Sequence, residues 1–374
     1  MQKKPRKLHG GDIYRHPDVI DFSVNTNPLG TPESVKRAVQ ESVAKIEHYP
    51  DVRCEALRKA ISRFEQVNME EILCGNGAAE LFFAAVQAVC PQKALVIAPS
   101  FSEYEEALRS VGAEVEYYYL CEEDNFQIRE DYVDKLSEEI DMIFLCNPNN
   151  PTGVLLERKF ILEVLKRCKE KNSLFVLDES FVDFVEEPEN HTIKDMLNIV
   201  VILDECFLEF LDEPNRYEMS DLRGEYPNLL IIKAFTKIFS MPGLRLGYAI
   251  SSNQDILEEM SWKLQQWNVS VPAQMAGVAA LEKPKEYIRQ TREYVSGQRE
   301  YMRNIMKMMG YVVFASKANY LFFKGRPGLE KEALEAGFLI RDCQNYEGLS
   351  EGFYRIAVRT KEENERLITW LGRL

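Results

Sequence analysis

The sequence predicts an α/β fold in which a doubly wound, mainly parallel sheet is joined to a smaller α+β domain. Short β-like runs alternate with amphipathic helical runs through the middle of the 374-residue chain. Near Ser251 this alternation gives way to long helical stretches, and after Tyr311 a shorter series of strands and helices follows. The length is sufficient for two domains with a substantial core.

Each strand of the large sheet is predicted from a short apolar run bounded by charged or turn-forming residues. In chain order the strand candidates are ALVIAP, EVEYYYL, DMIFLCN, SLFVLDE, IVVILDE, NLLIIKA and RLGYAIS. Segments such as SEYEEALRSVG and LERKFILEVLKRCKEK have the periodicity of the helices that connect parallel strands.

The last third of the chain predicts a different arrangement. DILEEMSWKLQQW and KEYIRQTREYVSGQREYMRNIMKMMG are long helical runs, and we expect the second to bridge the two domains. VVFAS, NYLFFK and YRIAVR predict the strands of the small domain. We therefore assign residues 1–40 to an N-terminal arm of the small domain, 41–285 to the large domain and 286–374 to the C-terminal small domain.

Composition excludes several classes of function. A formal net charge of −14 argues against a nucleic acid or an anionic membrane as a partner. The basic start is not followed by the apolar stretch of a signal peptide, and no apolar run approaches the length of a membrane span. Four histidines far apart in sequence and eight scattered cysteines argue against a zinc site or a Ser-His-Asp triad. We expect a cytoplasmic protein with reduced thiols and no metal.

The strongest chemical signal is the run KAFTKIFSMPGLRLGY, in which Lys237 precedes Arg245 by eight positions. A lysine that forms a Schiff base with an aldehyde cofactor needs a cation at a fixed distance to hold the cofactor's phosphate, and Thr236 adds a hydroxyl. The alternative for this spacing alone is a solvated loop. NPNNPTG favours a site, because it follows the strand candidate MIFLC and places Asn150 at a strand's carboxyl end, where ligands of open α/β sheets bind.

Ten motifs occur in one order along the chain: FSVNTNPLG, HYPD, GNGAAE, PSFSEY, NPNNPTG, LDE, KAFTK, GLRLGY, ANYLF and YRIAVRT. On these motifs the chain resembles the fold-type I pyridoxal-phosphate enzymes of the aspartate aminotransferase superfamily. Within it the chain is similar to the branch that holds histidinol-phosphate aminotransferases and cobalamin-pathway threonine-phosphate decarboxylases. The resemblance covers residues 9–364. It implies a PLP-dependent transferase-like fold, pyridoxal 5′-phosphate bound by the large domain, and a homodimer with shared active sites.

The resemblance also implies roles at the cofactor. Lys237 would form the Schiff base, and the carboxylate of Asp204 or Asp178 would keep the ring nitrogen protonated. Phe101 would stack on the ring, with Tyr104 as a competing aromatic. For each residue alone, a turn, a helix cap or the core is the alternative role. The implied cofactor-binding residues are Gly77, Ala78, Ala79, Phe101, Asn150, Thr236, Lys237, Arg245 and the partner subunit's Tyr49.

The same resemblance implies a basic substrate site. Arg355 in YRIAVRT would bind the substrate α-carboxylate through a bidentate fork, assisted by Asn319. Arg341 and Arg359 are further candidates for a substrate phosphate, with solvent-facing strand-edge charges as the alternative. The N-terminal segment would fold over the substrate. The implied substrate-binding residues are His9, Asn25, Asn27, Asn319, Arg341, Arg355 and Arg359.

One unit occurs twice. VLDESFVDFVEEP, residues 176–188, recurs as ILDECFLEFLDEP, residues 202–214, with the shared pattern DE-x-F-x-x-F-x-x-EP. We interpret residues 173–198 and 199–224 as a tandem duplication of a strand-and-turn unit that the family carries once. Because the family's sheet has one place for this strand, we expect one copy to be displaced. Asp204 is preferred as the ring-nitrogen partner, since its unit runs directly into NLLIIKAFTK, and Asp178 is the alternative.

The choice of activity also follows from the resemblance. HGGDIY, FSVNTNPLG, the end RDCQNYEGLSEGFYRIAVRT and a Phe, 181 or 207, after Asp-Glu-x resemble the decarboxylases. The implied reaction is decarboxylation of L-threonine O-3-phosphate to (R)-1-amino-2-propanol O-2-phosphate in cobalamin biosynthesis. The alternatives are a histidinol-phosphate-type aminotransferase, and a non-catalytic or inactive chain of the same fold.

Overall fold

The computed structural model describes residues 10–178, 201–204 and 229–374, apart from 66, 138, 147, 148, 153, 155, 172, 315 and 317. This part of the chain forms a large α/β domain and a smaller α+β domain, each with its own hydrophobic core. None of the helices within it has the length and apolar character needed to cross a membrane.

Helices and strands alternate through the large domain, as the sequence predicts. The helices are α1 Glu33–Ser42, α2 Glu55–Glu65, α3 Ala78–Val89, α4 Ser102–Ser110, α5 Arg158–Lys171, α6 Phe235–Ile238, α7 Gln254–Lys263, α8 Val271–Ala280, α9 Pro284–Met308, α10 Leu329–Glu335 and α11 Lys361–Leu371. The strands are β1 Ile20–Asp21, β2 Ile72–Gly75, β3 Lys93–Ala98, β4 Glu114–Tyr119, β5 Met142–Cys146, β6 Leu174–Asp178, β7 Val201–Asp204, β8 Leu229–Ala234, β9 Gly247–Ile250, β10 Val312–Val313, β11 Tyr320–Lys324, β12 Phe338–Leu339, β13 Arg341–Asp342 and β14 Phe353–Ala357.

Two four-stranded sheets form the centre of the large domain. The first has the order β4-β3-β5-β6, with all neighbours parallel. The second has the order β2-β9-β8-β7, in which β7 and β8 are parallel and β9 is antiparallel to both of its neighbours. All five residues of β5 are buried, which is typical of a parallel strand covered by helices on both faces. The predicted doubly wound, mainly parallel arrangement is confirmed.

Both copies of the duplicated unit contribute a strand. β6 pairs with β5, with Asp178 opposite Cys146, and β7 pairs with β8, with Asp204 opposite Ile232. β6 and β7 lie next to each other where the two sheets meet. The structure therefore differs from the expectation that one copy is displaced from the sheet. An open sheet has no fixed number of strands, so it can accept a second apolar parallel strand. The remainder of the two units, residues 179–200 and 205–228, lies outside the described residues.

The small domain is built around the antiparallel sheet β10-β11-β14-β13. The N-terminal segment joins it through a short parallel pair in which Ile20 of β1 lies opposite Phe338 of β12. Helix α9 packs Val295 into the core of the large domain and Met302 into the core of the small one. The helix thus connects the two cores.

Candidate active site

Lys237 lies just beyond the carboxyl end of a sheet strand. Strand β8 ends at Ala234, and the one-turn helix α6 that follows carries Thr236 and the half-buried Lys237. A short 3-10 turn then leads to Arg245, which has a left-handed φ of 51°, and the chain returns as β9, antiparallel to β8. Lys237 and Arg245 therefore both lie in the single connection between β8 and β9.

The GNGAAE loop lies against this return. Gly77 is the N-cap of α3, has a φ of 90° and provides no side-chain cap. A Cβ atom on Gly77 would lie 2.7 Å from Nη2 of Arg245, and one on Gly247 would lie 2.6 Å from the backbone nitrogen of Ala78. Only glycine permits both approaches. The amide groups at the start of α3 and the Arg245 guanidinium therefore face one small region, an arrangement that suits a phosphate.

Phe101 and Tyr104 occupy different environments. Tyr104 is buried in the core, where its ring stacks on Phe144 at 5.4 Å and meets Phe82 edge to face at 5.5 Å. Phe101, the N-cap residue of α4, is only half-buried, and its ring meets that of Tyr104 edge to face. Of the two aromatics, Phe101 is the less buried.

Asn149 holds the ends of two parallel strands together. Its Nδ2 donates to the carbonyl oxygen of Pro99, which follows β3, and to Oγ1 of Thr152. The bond fixes the turn that carries Asn150 beside the turn that carries Phe101. The sequence analysis did not single out Asn149, although it stands inside NPNNPTG. The sequence signal for Asn149 is its place as the second asparagine of NPNNPTG, but its role depends on Pro99, which follows a neighbouring strand.

Arg355 lies in the cleft between the domains. Its Nη1 donates to Oδ1 of Asn150 at 3.2 Å, and its Nη2 donates to the carbonyl oxygen of Ser23 at 3.2 Å. Its guanidinium lies over the ring of Tyr320, 5.1 Å from the centroid. Contacts from the large domain, the N-terminal segment and the small domain thus fix one side chain. The Ser23 carbonyl and the Tyr320 ring are further functional contacts that the sequence alone did not show.

Arg341 lies directly opposite Arg355 in the pairing of β13 with β14. Its Nη1 donates to the carbonyl oxygen of Asp342 and its Nη2 to Oδ1 of Asn345, and its guanidinium lies 5.2 Å from the ring centroid of Tyr346. Arg341 is 9% and Arg355 8% exposed. Among the residues that the structure describes, neither guanidinium has a carboxylate within ion-pair distance. Within the described residues, the hydrogen-bond partners of these two buried cations are neutral acceptors.

Both arginines affect the pKa of the Cys343 thiol. Burial raises the pKa of Cys343 to about 12, while Arg355 and Arg341 act in the opposite direction. The positive field of the two guanidiniums therefore reaches the thiol, but its effect on the pKa is smaller than that of burial.

Arg359, in contrast to Arg341 and Arg355, forms an ion pair with Glu363 at 3.1 Å at the start of α11. Burial opposes ionisation of Glu363, but bonds from Arg359 and Thr360 lower its pKa below the usual value. Arg359 is thus paired with a carboxylate beside the N-cap residue Thr360.

Residues 22–27, which we call the N-terminal strap, cross the cleft. Oδ1 of Asn25 accepts a hydrogen bond from Nζ of Lys237 at 3.0 Å, and its carbonyl oxygen accepts one from Nδ2 of Asn319. The carboxamide of Asn27 instead donates to the carbonyl oxygen of Ile238 and to Oγ1 of Thr291. Asn25 and Asn319 are thus brought to Lys237, whereas Asn27 anchors the strap. His9 lies outside the described residues.

The two candidate aspartates end neighbouring strands. Asp178 is the last residue of β6, beside the strand that leads to Asn150, and Asp204 is the last residue of β7, beside the strand that leads to Lys237. Tyr49 lies on the surface, 80% exposed, with its ring 4.8 Å from that of Trp267. It is therefore available to a second subunit.

Comparison with known proteins agrees with this geometry. The sequence profile described as "Aminotransferase class I and II" matches residues 17–371, so the fold and the family define an enzyme of the pyridoxal-phosphate class. The chain belongs to the aminotransferase class I and II family, and its cofactor is pyridoxal 5′-phosphate.

Relatives with two different activities resemble the whole chain. A threonine-phosphate decarboxylase of Salmonella typhimurium is 33% identical over 97% of this chain and 95% of its own. A histidinol-phosphate aminotransferase of Desulfitobacterium hafniense is 32% identical over 100% of this chain and 97% of its own. The crystal structure of L-threonine-O-3-phosphate decarboxylase from Porphyromonas gingivalis superposes with a TM-score of 0.73, at 26% identity over 95% of this chain and 98% of that one.

The residues present fit the cofactor. Gly77 and Gly247 leave a space that a Cβ atom would fill, and Arg245 and the start of α3 turn positive groups toward it. Lys237 lies one turn beyond β8, and the half-buried Phe101 follows β3. Groups that can bind a phosphate, an amine that can bind an aldehyde and an aromatic ring therefore surround one region of the cleft.

Proposed function

We propose that this enzyme decarboxylates L-threonine O-3-phosphate to (R)-1-amino-2-propanol O-2-phosphate, a step of cobalamin biosynthesis, as a cytoplasmic homodimer. Support comes from Arg341 and Arg355, two buried guanidiniums on adjacent strands that have no carboxylate partner among the described residues. A substrate with both a carboxylate and a phosphate would neutralise both. Histidinol phosphate carries only the phosphate, but 2-oxoglutarate, the second substrate of the aminotransferase, carries carboxylates, so the arginine pair is compatible with either reaction. The choice of the decarboxylase rests on HGGDIY, FSVNTNPLG and RDCQNYEGLSEGFYRIAVRT, which resemble that enzyme.

Arg355 would bind the α-carboxylate. Its guanidinium is already oriented by Asn150, Ser23 and Tyr320, so little conformational freedom remains to be lost when the substrate binds. Arg341, across the strand pair, would take the phosphate. The neutral acceptors that hold both arginines leave their positive charge uncancelled for the substrate.

The reaction breaks the bond between the α-carbon and the carboxylate carbon, releases carbon dioxide and adds one proton to the α-carbon. Pyridoxal phosphate, when bound, accepts the electron pair that the departing carbon dioxide leaves behind. Lys237 is the group that would deliver the proton, because its amine lies in the cleft close to the strap. The carboxylate of Asp204 would hold the proton on the ring nitrogen.

The experiment measures both candidate reactions with the same preparation. The purified enzyme with pyridoxal phosphate is supplied with threonine phosphate, and carbon dioxide and the amino-alcohol phosphate are quantified. A parallel assay supplies histidinol phosphate with 2-oxoglutarate and measures glutamate. We expect carbon dioxide release from the first mixture and at most slow glutamate formation in the second. Glutamate formation without carbon dioxide release would establish the aminotransferase instead.

Lys237→Ala provides the control for both assays. This variant should lose activity and the visible absorbance of the lysine-bound cofactor, and borohydride should attach no pyridoxyl group to it. In the wild type the peptide that contains Lys237 should carry the group. A pyridoxyl group on another lysine would contradict the assignment. If the wild type binds the cofactor but turns over neither substrate, the non-catalytic alternative is supported.

A further inference from the structure

The amine of Lys237 is held by a neutral side chain from a distant part of the chain. Oδ1 of Asn25 lies 3.0 Å from Nζ of Lys237, and the two residues are 212 positions apart. An ammonium group has only donors, so the carboxamide must present its oxygen to the lysine. Asn25 is buried, which strengthens this charge-assisted bond relative to one at the surface.

The backbone around Asn25 is fixed on both sides of the cleft. The carbonyl oxygen of Asn25 accepts a bond from the buried Asn319 at 2.8 Å, and the carbonyl oxygen of Phe22 accepts one from the amide of Ala357 at 2.8 Å. On the other side, the amide of Asn27 donates to the carbonyl oxygen of Lys237 itself at 3.0 Å. The Asn25 oxygen is therefore held in place before it meets the amine.

We propose that Asn25 is a positioning residue that holds the Lys237 amine in the cleft whenever the amine is not bonded to the cofactor. The strap would thereby set the lysine at a fixed place relative to Arg355, whose Nη2 binds the Ser23 carbonyl two residues earlier in the strap. The inference rests on the proposed function only in taking Lys237 as the cofactor lysine.

The chemistry of the amide explains the choice of residue. Lys237 must be held, and it must also be able to lose its proton and attack an aldehyde. A carboxylate at position 25 would form an ion pair that favours the ammonium form, whereas an apolar side chain would remove this hydrogen bond to the amine. A carboxamide oxygen lies between these extremes, because it accepts the hydrogen bond without a full negative charge.

The test compares the reactivity of Lys237 in three full-length proteins from which the cofactor has been removed with hydroxylamine. Each protein is treated with acetic anhydride, and acetylation of the Lys237 peptide is followed by mass spectrometry. We expect acetylation about threefold to tenfold faster in Asn25→Ala than in wild type, and about tenfold slower in Asn25→Asp. Opposite changes from two substitutions at one buried position would not follow from loosened packing alone.

A second measurement separates placement of the amine from formation of the cofactor site. Binding of pyridoxine 5′-phosphate, which lacks the aldehyde, should stay within about twofold of wild type in Asn25→Ala, because Arg245 and the start of α3 are untouched. Covalent capture of pyridoxal phosphate, followed by its visible absorbance, should slow about tenfold. Leu29→Ala is the control, since Leu29 lies two residues beyond the strap with its side chain 40% exposed, and it should retain wild-type capture.

Equal acetylation rates in all three proteins, or a change in the same direction for Ala and Asp, would overturn the proposal. If Asn25→Ala does not fold by circular dichroism, Asn25→Ser replaces it, because a serine hydroxyl is too short to reach the amine. Neither measurement uses a substrate. Failure to decarboxylate threonine phosphate would therefore overturn the proposed function without affecting this result, and normal decarboxylation with unchanged Lys237 reactivity would overturn only the role of Asn25.

Discussion

Arginines of the small domain differ in what satisfies their charge. Arg326 pairs with Glu332 at the surface, and Arg359 pairs with Glu363 at the start of α11. Arg341 and Arg355 are more buried, yet their described partners are neutral oxygens and aromatic rings. A buried cation without an anionic partner is costly, so a protein retains two of them where a ligand supplies the charge.

Arg355→Lys tests this reasoning at the level of one residue. Lysine keeps the charge but cannot stack flat on Tyr320 while donating to both Asn150 and Ser23. We expect kcat/KM for threonine phosphate to fall by an amount equivalent to about 2–5 kcal/mol of transition-state binding. Steady-state kinetics measures the loss, and Arg326→Lys, an exposed change in the same domain, is the control. Wild-type kinetics in Arg355→Lys would exclude a bidentate role.

Sequence motifs located the residues whose role is carried by their own functional group. Lys237 and Arg245 lie on one strand return, and the pairing of β2 with β9 brings the glycine loop at Gly77 against Arg245. Ser23 and Tyr320 could not be found in this way. One contributes a backbone carbonyl and the other the face of a ring, and both act on an arginine that only the tertiary fold places beside them.

At the level of elements, a buried ion pair links α2 to the strand that leads to Lys237. Nζ of Lys233 in β8 lies 3.0 and 3.1 Å from the carboxylate oxygens of Glu65, the last residue of α2, and the hydroxyl of Tyr248 donates to the same carboxylate. Lys233 is 2% exposed. Removing one partner of a buried ion pair destabilises a protein, because the other charge stays buried.

Lys233→Met should therefore destabilise the protein by about 3–5 kcal/mol, because it leaves the Glu65 carboxylate buried without its cation. Urea or thermal denaturation measures the change. The combined substitution Lys233→Met, Glu65→Leu and Tyr248→Phe should recover most of the loss. Lys36→Met serves as the surface control. Lys36 pairs with Glu33 in an exposed position, so this substitution should cause no measurable change in the free energy of unfolding. If Lys233→Met left the free energy of unfolding unchanged, the ion pair would contribute nothing to stability.

The duplicated strand shows where reasoning from sequence stops. The periodicity of SLFVLDE and IVVILDE predicts two strands, and both are present as β6 and β7. The number of strands that the sheet can hold is not encoded in either segment, because it depends on how neighbouring strands and helices adjust. The expectation of a single place came from the family's pattern, and this chain departs from that pattern.

At the scale of the whole molecule, either copy of the duplicated unit can be deleted while the other is kept. Deleting residues 173–198 leaves Asp204, and deleting residues 199–224 leaves Asp178. Each shortened chain keeps one strand-and-turn unit between β5 and β8, so we expect both to fold and to bind pyridoxal phosphate. Absorbance of the bound cofactor and the denaturation midpoint are the measurements. Loss of folding in both would show that the wider sheet is required.

Point substitutions then decide between the aspartates in the full-length chain. We predict that Asp204→Asn abolishes decarboxylation, because β7 neighbours the strand that leads to Lys237, while Asp178→Asn leaves it near normal. Circular dichroism confirms that both proteins are folded. The reverse pattern would assign the ring nitrogen to Asp178 and make the second copy the additional strand.

A shared site in the proposed homodimer also has a direct test. Tyr49 and Trp267 form an exposed aromatic pair, with Val52 and Trp262 also exposed. Co-expressed Lys237→Ala and Tyr49→Ala chains should form a hybrid in which one of two sites combines an intact lysine with an intact tyrosine. Activity should rise above that of either variant alone. No recovery in the purified hybrid would place Tyr49 outside the partner's site.

The N-terminal strap also determines when the site can be completed during synthesis. Ser23 binds Arg355, 332 positions later in the chain, and Phe22 binds Ala357. At about 5–20 residues per second, the ribosome needs roughly 15–70 s to make the intervening segment. The cleft therefore closes only after the final strand has left the exit tunnel. Until then Asn25 has no fixed place from which to meet Lys237, so productive cofactor loading has to wait for the strand that carries Arg355 and Ala357.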